Sequence, residues 1–319
     1  MARTETNDRG RQARKPGEIP KQGWRDVVLR VKDEQKRDNL SVVAAGVAFY
    51  SLLAIFPALA AAVSIYGLVA DPAQLQQQLQ SLSQMLPQQA YQILDQQLSS
   101  LVRQSGQALG LGVALGILVA LWSANKGMKA LITSLNITYN EKEKRGFFKL
   151  NGLALLLTFG AIVFFLISMA LIVIVPALLG NIGLPSFIHG LVNYLRWPLL
   201  AFFVIVALAV LYHMGPSRDR PRWQWVSWGA IIGATLWIVA SILFSVYVAN
   251  FGSYNKTYGS MGAVIILLMW FFLTAYAVLI GAEFNAEMEH QTRRDTTRGE
   301  ARPMGHRNAR AADTVGRKR

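Results

Sequence analysis

Apolar residues along this chain gather in six long runs, and short polar segments separate the runs. A helix needs about 20 apolar residues to cross a hydrocarbon core of about 30 Å. The runs are close to that length or exceed it, and they cover residues 41–69, 109–131, 152–179, 197–214, 226–250 and 261–282. Lipid offers the backbone no hydrogen-bond partner. The pattern therefore predicts an all-α, polytopic membrane domain over residues 39–286 with six transmembrane helices.

A short amphipathic segment precedes the first run. Four of its apolar residues recur at the spacing of one helical face: Trp24, Val27, Val28 and Val31. This predicts a helix near residues 24–36 that lies at the membrane interface. Residues 1–38 as a whole are expected to form a basic cytoplasmic tail whose first 20 or so residues are disordered. Residues 287–319 are polar and rich in arginine, which predicts a second basic, disordered tail.

The segment between the first two runs is rich in glutamine. Residues 72–107 contain 13 glutamines, and leucines recur at helical spacing on both sides of Pro87. Proline interrupts a helix because it lacks a backbone donor and clashes with the preceding turn. The pattern predicts amphipathic extracytoplasmic helices over residues 73–104, which either cap the bundle on its outer side or form a lid at the lipid surface.

Charged residues avoid the middle of the chain. Residues 39–282 hold 17 of the 50 charged residues, and the others lie in the two terminal segments. Of the 32 Lys and Arg residues, 29 lie in the terminal segments or follow the second and fourth runs, and three lie in the other connections. Positively charged segments stay in the cytoplasm, so both termini are predicted to be cytoplasmic. The asymmetry also accounts for the net charge of +14, and no nucleic-acid partner is expected.

Charged residues are also missing from the central thirds of the predicted spans. A charge at that depth costs about 2.5–3.5 kcal/mol and usually marks function. The sequence therefore does not favour a proton or sodium carrier built on a buried carboxylate. Charged residues lie at the cytoplasmic rim, Lys126 and Lys129 at the end of the second span and Glu283 at the end of the sixth. Lys126 and Glu283 are the candidates for an interaction across this rim. They either form an ion pair or act as independent interfacial anchors.

Proline and glycine positions bear on the geometry of the spans. Pro57 is expected to kink the first span, because it removes a backbone hydrogen bond. Three pairs of glycines are four residues apart: Gly106/Gly110 and Gly112/Gly116 at the second span, and Gly229/Gly233 in the fifth. Small residues at that spacing let two helices approach closely, so close helix packing is predicted at each pair.

Motifs for catalysis are missing from the sequence. Walker A spacing for phosphate binding does not occur, and the four histidines lack the spacing of metal ligands. Without cysteines, the chain cannot form disulfides or zinc–thiolate sites. Acidic residues on the cytoplasmic side are interleaved with basic ones and do not assemble a two-metal nuclease site. The sequence therefore predicts no enzyme, no cofactor and no metal site.

Four motifs occur in order along the chain: Ala44-Ala-Gly-Val-Ala-Phe-Tyr50, Trp122-Ser-Ala-Asn125-Lys126-Gly127, Tyr258-Gly259-Ser-Met-Gly262-Ala263 and Leu279-Ile-Gly-Ala-Glu283-Phe-Asn285-Ala286. Together with Pro57 they resemble the YihY/virulence factor BrkB family of bacterial inner-membrane proteins, over about residues 38–286. Pro57 and nine residues of these motifs are the candidate functional residues: Tyr50, Pro57, Trp122, Asn125, Lys126, Tyr258, Gly259, Gly262, Glu283 and Asn285.

The resemblance implies a multi-pass protein of the bacterial inner membrane with six spans and both termini in the cytoplasm. Family members are linked with envelope functions, including lipid or lipopolysaccharide export, and many carry the label ribonuclease BN. The leading interpretation is a transporter or flippase-like carrier of lipid or another amphiphile, with the bilayer and anionic lipid headgroups as partners. The alternative is a non-transporting envelope scaffold that recruits partners through its tails. A tRNA-processing ribonuclease is the least favoured interpretation, and the oligomeric state is left open.

Overall fold

The computed structural model describes residues 9–67, 106–174, 186–250 and 260–318. These residues form helices and connecting segments, with one isolated antiparallel bridge between Pro221 and Thr297. The all-α prediction is confirmed for this part of the chain. The amphipathic helices predicted over residues 73–104 lie outside the described residues and stay a prediction.

Seven long helices follow one another along the described residues: α1 (Lys21–Arg37), α2 (Leu40–Gly67), α3 (Gly106–Thr138), α4 (Phe147–Met169), α5 (Ser186–Met214), α6 (Trp223–Asn250) and α7 (Ser260–Glu289). A π-helical turn, Ala170–Ile174, extends α4, and the terminal segments contain the short helix α8 (Arg310–Asp313) and a 3-10 turn, Pro16–Glu18. Helices α2 to α7 match the six predicted apolar runs in order. Helix α7 continues past the predicted end at residue 282 to Glu289.

Within the described residues, five helical segments are long and apolar enough to cross a membrane: Ala114–Thr138, Phe147–Ile172, Gly190–Met214, Trp223–Ala249 and Gly262–Glu289. Helix α1 meets the start of α2, Leu40–Ile55, at a bend of 64°, and the two supply a sixth candidate if they form one span. Within each apolar window, between 6% and 22% of the residues are buried inside the protein. Apolar helices that expose so much surface are typical of proteins immersed in lipid. The chain is a multi-pass membrane protein.

The chain divides into two compact units. The first unit comprises Met1–Ala44, Ile132–Ala240 and Thr274–Arg319, and the second comprises Ala45–Leu131 and Ser241–Leu273. The first unit therefore contains all of α1, α4 and α5 and both terminal segments. Helices α2, α3, α6 and α7 each run from one unit into the other.

A buried apolar cluster holds α1 within the first unit. The cluster consists of Ala13, Ile19, Val27, Val31, Trp225 and Met288. The helix predicted near residues 24–36 is thus present, and three positions of its apolar stripe, Trp24, Val27 and Val31, pack against protein. Val28 of the same stripe is half exposed. The placement of α1 at a membrane interface stays a prediction.

The expectation of disordered tails is wrong for residues 9–20 and 290–318, which pack into the first unit. Arg307 is 4% exposed, and its guanidinium donates hydrogen bonds of 2.6–3.1 Å to backbone carbonyls of its own segment. The acceptors are the carbonyls of Arg293, Arg294, Arg302 and Ala312. An arginine carries five donors. The single side chain of Arg307 therefore supplies hydrogen bonds to four backbone carbonyls of a segment that has little regular secondary structure.

We expect Arg307→Ala to loosen this segment, because hydrogen bonds from a charged donor contribute about 1.5–3 kcal/mol. Amide hydrogen exchange across residues 292–314, measured on the full chain in detergent micelles, should accelerate by about tenfold or more. Arg298→Ala is the matched control, since Arg298 lies on the same segment with an exposed side chain. Equal exchange rates in the two variants would contradict the role of Arg307.

Candidate functional site

The segments that connect the helix ends in the first unit form a polar layer, which we call the polar cap. It consists of residues 9–39, 139–146, 215–222 and 290–318. The Lys144 N–H donates to Ser217 Oγ at 3.0 Å and joins the α3–α4 connection to the α5–α6 connection. The Arg293 N–H donates to the Arg11 carbonyl at 3.0 Å and joins the two terminal segments. The polar cap is therefore one hydrogen-bonded layer built from segments that are distant in sequence.

Arg218 of the α5–α6 connection and Glu289, the last residue of α7, form a buried ion pair. Arg218 Nη2 donates to both Glu289 carboxylate oxygens at 2.7 and 2.8 Å, and the two side chains are 1% and 0% exposed. The Thr296 hydroxyl donates to Glu289 Oε2 at 2.6 Å, and the Arg218 guanidinium lies 4.8 Å from the centre of the Tyr139 ring. Burial lowers the pKa of Arg218, but Glu289, Tyr139 and Glu141 together outweigh this effect, and the pKa is raised. The pair fixes the end of α7 to the connection.

Arg30 of α1 binds the same end of α7. Its Nε donates to the Glu287 carboxylate, and both side chains are buried. Its Nη2 donates to the Glu287 carbonyl at 3.0 Å and to Gln291 Oε1 at 2.8 Å. His290 Nδ1 lies 2.9 Å from the second oxygen of the Glu287 carboxylate. Helix α1 is therefore attached to α7 by charge as well as by the apolar cluster.

Glu143 connects the two interhelical segments of the polar cap. It accepts hydrogen bonds from Asn136 Nδ2 at 2.9 Å and from the Arg145 guanidinium at 2.7 Å. Arg145 also donates to the Gly215 carbonyl at 2.8 Å, and Asn136 Oδ1 accepts from the Ser217 N–H at 2.7 Å. Burial raises the pKa of Glu143, but the hydrogen bonds from Arg145 and Asn136 outweigh it and lower the pKa to about 2. The carboxylate is therefore charged at neutral pH.

Helices α6 and α7 cross closely at glycines, which confirms the prediction for Gly229 and Gly233, whereas a Cβ at Gly116 would meet nothing within 4 Å. A Cβ added at Gly229 would lie 2.3 Å from the Gly281 carbonyl oxygen, and one added at Gly233 would lie 3.5 Å from the Gly281 Cα. Asn285 is fully buried at this crossing. Its Oδ1 accepts from the Gly229 N–H at 2.8 Å, and its Nδ2 donates to the Val226 carbonyl at 3.3 Å. The structure thus gives this candidate residue a role in holding two helices together.

Glu283 lies on α7, one turn before Glu287, and is 1% exposed. Among the described residues, its Oε2 has no hydrogen-bond partner. Lys126, the partner that the sequence suggests, belongs to the second unit, whereas Glu283 belongs to the first. The ion pair between them stays a prediction.

The candidate residues around Trp122 make contacts within the second unit. The Lys126 ammonium lies 4.0 Å from the centre of the Trp122 ring, and such a cation–π contact contributes about 0.5–1 kcal/mol at an exposed site. Asn125 is buried, whereas Trp122 and Tyr50 are exposed. A Cβ at Gly127 would lie 3.7 Å from the Tyr50 carbonyl oxygen, so α2 and α3 are in van der Waals contact there.

The candidate residues are divided between the two units. Glu283 and Asn285 belong to the first unit, and the other described candidates belong to the second. Of these, Pro57 lies inside α2, where the expected kink stays a prediction, and Gly262 is buried near the start of α7. Two candidates lie outside the described residues: Tyr258 and Gly259.

Sequence reasoning missed the charged residues that hold the polar cap together. They are Arg30, Arg218, Glu287 and Glu289. The sequence predicts a disordered tail over residues 287–319, which includes Glu287 and Glu289. One signal was available, because Phe284 and Met288 continue the apolar spacing of a helix past the predicted end of the sixth span at residue 282. Met288 is fully buried.

Comparison with known proteins links the chain to a membrane-protein family. The family profile described as Virulence factor BrkB matches residues 31–305. The ribonuclease-like protein YfkH of Bacillus subtilis (strain 168) is 28% identical over 76% of this chain and 87% of YfkH. The UPF0761 membrane protein IL2447 of Idiomarina loihiensis is 24% identical over 79% of this chain and 87% of that protein. A UPF0761 membrane protein of Tolumonas auensis is 27% identical over 82% of this chain and 85% of that protein. No solved structure matches the chain.

Gly229→Ala is expected to lower the thermal unfolding midpoint in detergent by about 3–10 °C, because overpacking a tight contact costs about 1–3 kcal/mol. The added methyl group would meet the Gly281 carbonyl and the Asn285 side chain. Gly116→Ala on α3 is the control, since a Cβ there meets nothing within 4 Å. Its midpoint should stay equal or rise, because alanine favours a helix over glycine. Equal midpoints for the two variants would contradict the close crossing.

Proposed function

Because the chain belongs to the Virulence factor BrkB family, we propose that it is a bacterial inner-membrane protein with six spans and both termini in the cytoplasm. Its proposed activity is that of a flippase-like carrier for an anionic envelope amphiphile, either a lipid or a lipopolysaccharide-type molecule. Such a carrier binds the charged headgroup with protein side chains, while the acyl chains contact the apolar surface of the helices.

The composition of the polar cap supports the proposed orientation. Its four segments are the two terminal segments and the connections that follow α3 and α5. The distribution of Lys and Arg independently assigns these same segments to the cytoplasm. Hydrogen bonds and buried ion pairs join them into one layer. The four segments thus lie in one layer, and the distribution of Lys and Arg favours a cytoplasmic location for all four.

The observation that carries the proposed activity is the meeting of apolar surface and positive charge. The apolar windows of α3 to α7 leave most of their residues unburied by protein. The polar cap, at the ends of these helices, contains most of the Lys and Arg residues of the chain. Anionic lipids are attracted to clusters of basic residues beside a membrane helix. An anionic amphiphile therefore fits both surfaces.

The alternative of a scaffold that recruits partners through its tails needs free tails. Residues 290–318 are instead packed into the polar cap through Arg307, Thr296 and their partners. This favours the carrier. RNA cleavage, which the name of YfkH suggests for that protein, has no comparable support. Within the described ranges, no group of three or more His, Cys, Asp or Glu residues is placed to hold a metal ion.

Single-cysteine labelling tests the orientation, because the natural sequence contains no cysteine. Lys142→Cys, at an exposed position of the α3–α4 connection, is expected to resist a membrane-impermeant maleimide in intact spheroplasts. Gln88→Cys, in the segment predicted to lie outside, is expected to react. Both should react after permeabilisation. Labelling of Lys142→Cys in intact spheroplasts would overturn the proposed orientation.

Lipid movement tests the activity directly. The purified full chain is reconstituted into vesicles that contain phosphatidylglycerol with a fluorescent headgroup, and dithionite then bleaches the outer leaflet. Protein-free vesicles retain their inner-leaflet fluorescence, and vesicles with the carrier are expected to lose it. Complete retention in vesicles that contain folded protein would reject the carrier and favour the scaffold.

A further inference from the structure

A cleft with a volume of about 730 Å³ opens in the polar cap beside the start of α4. It lies between the α3–α4 and α5–α6 connections, within the first unit. Five bases line it: Lys144, Arg145, Lys149, Arg218 and Arg220. Asp219 is the one acid among its lining residues. We call this cavity the basic cleft, and its volume is in the range of small-molecule sites.

Two of the five bases have no acidic partner. Lys144, Arg145 and Arg218 pair with Glu141, Glu143 and Glu289. Asp219 is itself taken by Arg302 at 2.7 Å. Lys149 and Arg220 have exposed side chains, and no carboxylate in the described part of the chain pairs with either. The basic cleft therefore holds two positive charges that are available to a ligand.

The start of α4 adds hydrogen-bond donors to the basic cleft. Gly146 precedes this 23-residue helix, no side chain caps its first turn, and the first turn contains no acid. The first N–H groups of a helix lack acceptors within the helix, and the helix dipole adds partial positive charge there. Gly146, Phe147 and Lys149, which supply this turn, all line the cleft. Helix starts of this kind bind phosphate and other anions.

A buried histidine forms part of the wall of the basic cleft. His213 is 4% exposed, and its ring stacks on Trp223 at 4.2 Å between ring centres. The stacked pair therefore shapes the cleft beside the end of α5.

Two aromatic side chains mark where the basic cleft meets the apolar part of α4. Phe147 and Phe148 line the cleft and are 73% and 87% exposed. Their rings meet edge to face at 5.5 Å. They are the first two residues of α4, which is long and apolar enough to cross a membrane. Exposed aromatic rings at the end of such a helix are typical of the headgroup level of a membrane.

We propose that the basic cleft binds the phosphate group of an anionic glycerolipid. Lys149, Arg220 and the first N–H groups of α4 contact the phosphate, and Phe147 and Phe148 lie against the glycerol and upper acyl chains. The cleft is thereby the headgroup site of the proposed carrier. The inference rests on the proposed function for the identity of the partner, whereas binding itself is measurable without transport.

The test is native mass spectrometry of the purified full chain in detergent, titrated with dioleoyl phosphatidylglycerol, dioleoyl phosphatidylcholine or inorganic phosphate. We expect phosphatidylglycerol to bind more tightly than phosphatidylcholine. Inorganic phosphate at the same concentration is not expected to displace phosphatidylglycerol. Lys149→Ala/Arg220→Ala should weaken phosphatidylglycerol binding by roughly 30-fold, about fivefold for each cation. Lys149→Gln/Arg220→Gln replaces this variant if alanine lowers the thermal midpoint.

The matched control removes the same charge from elsewhere in the polar cap. Lys142 and Arg25 are exposed and do not line the basic cleft, so Lys142→Ala/Arg25→Ala should change binding by less than about twofold. Equal losses in the two double variants, or equal binding of the two lipids, would overturn the site. Displacement of the lipid by inorganic phosphate at equal concentration would identify a soluble phosphate site instead.

The binding and transport results separate the two proposals. If phosphatidylglycerol binding depends on Lys149 and Arg220 but no lipid moves in vesicles, the site stands and the carrier is rejected. If lipid moves and both double variants bind it equally, the carrier stands and the site is rejected.

Discussion

Arg218 and Glu289 form an ion pair that is buried away from solvent. The path of the C-terminal segment follows from the need to keep this pair buried. Burying two charges costs several kcal/mol for each ion, and this cost is offset only when good geometry is joined by additional hydrogen bonds. Glu289 receives two hydrogen bonds from Arg218 and a third from the Thr296 hydroxyl. Because Thr296 lies beyond the end of α7, the chain has to turn back over Glu289. The ion pair thus sets the direction of the segment that covers it.

The same constraint explains why α1 packs where it does. Glu287 and Glu289 lie in the last turn of α7, where the helix dipole is negative and disfavours further negative charge. Arg218 compensates one carboxylate, and Arg30 of α1 compensates the other while also binding the Glu287 carbonyl. Apolar contacts of Val27 with its cluster then add to this attachment. By pairing with Arg30 and Arg218, the two acids at the end of α7 therefore hold the N-terminal segment and the α5–α6 connection in one layer.

Local patterns explain which parts of this structure were predictable. Hydropathy depends on residues that are neighbours in sequence, so the sequence predicts the long helices. The four-residue spacing of Gly229 and Gly233 likewise predicts the close crossing of α6 and α7. Arg30 and Glu287 are 257 residues apart, and no local pattern pairs them. Arg307 bonds to backbone carbonyls, which every residue carries, so its sequence neighbourhood does not distinguish it from a solvated arginine. Asn285 was recognised through a motif, but its hydrogen bonds to α6 became apparent only in three dimensions.

The contact between Arg11 and Gln291 has a consequence for how the protein is made. The Arg11 guanidinium donates to the Gln291 carbonyl across 280 residues of chain. At roughly 5–20 residues per second, a ribosome takes about 15–60 s to pass from the first of these residues to the second. During that time the apolar helices between them have to enter the bilayer while Arg11 and Arg30 remain without their final partners. Assembly of this layer is therefore a late step of biogenesis, and it occurs only in chains that have been translated past Gln291.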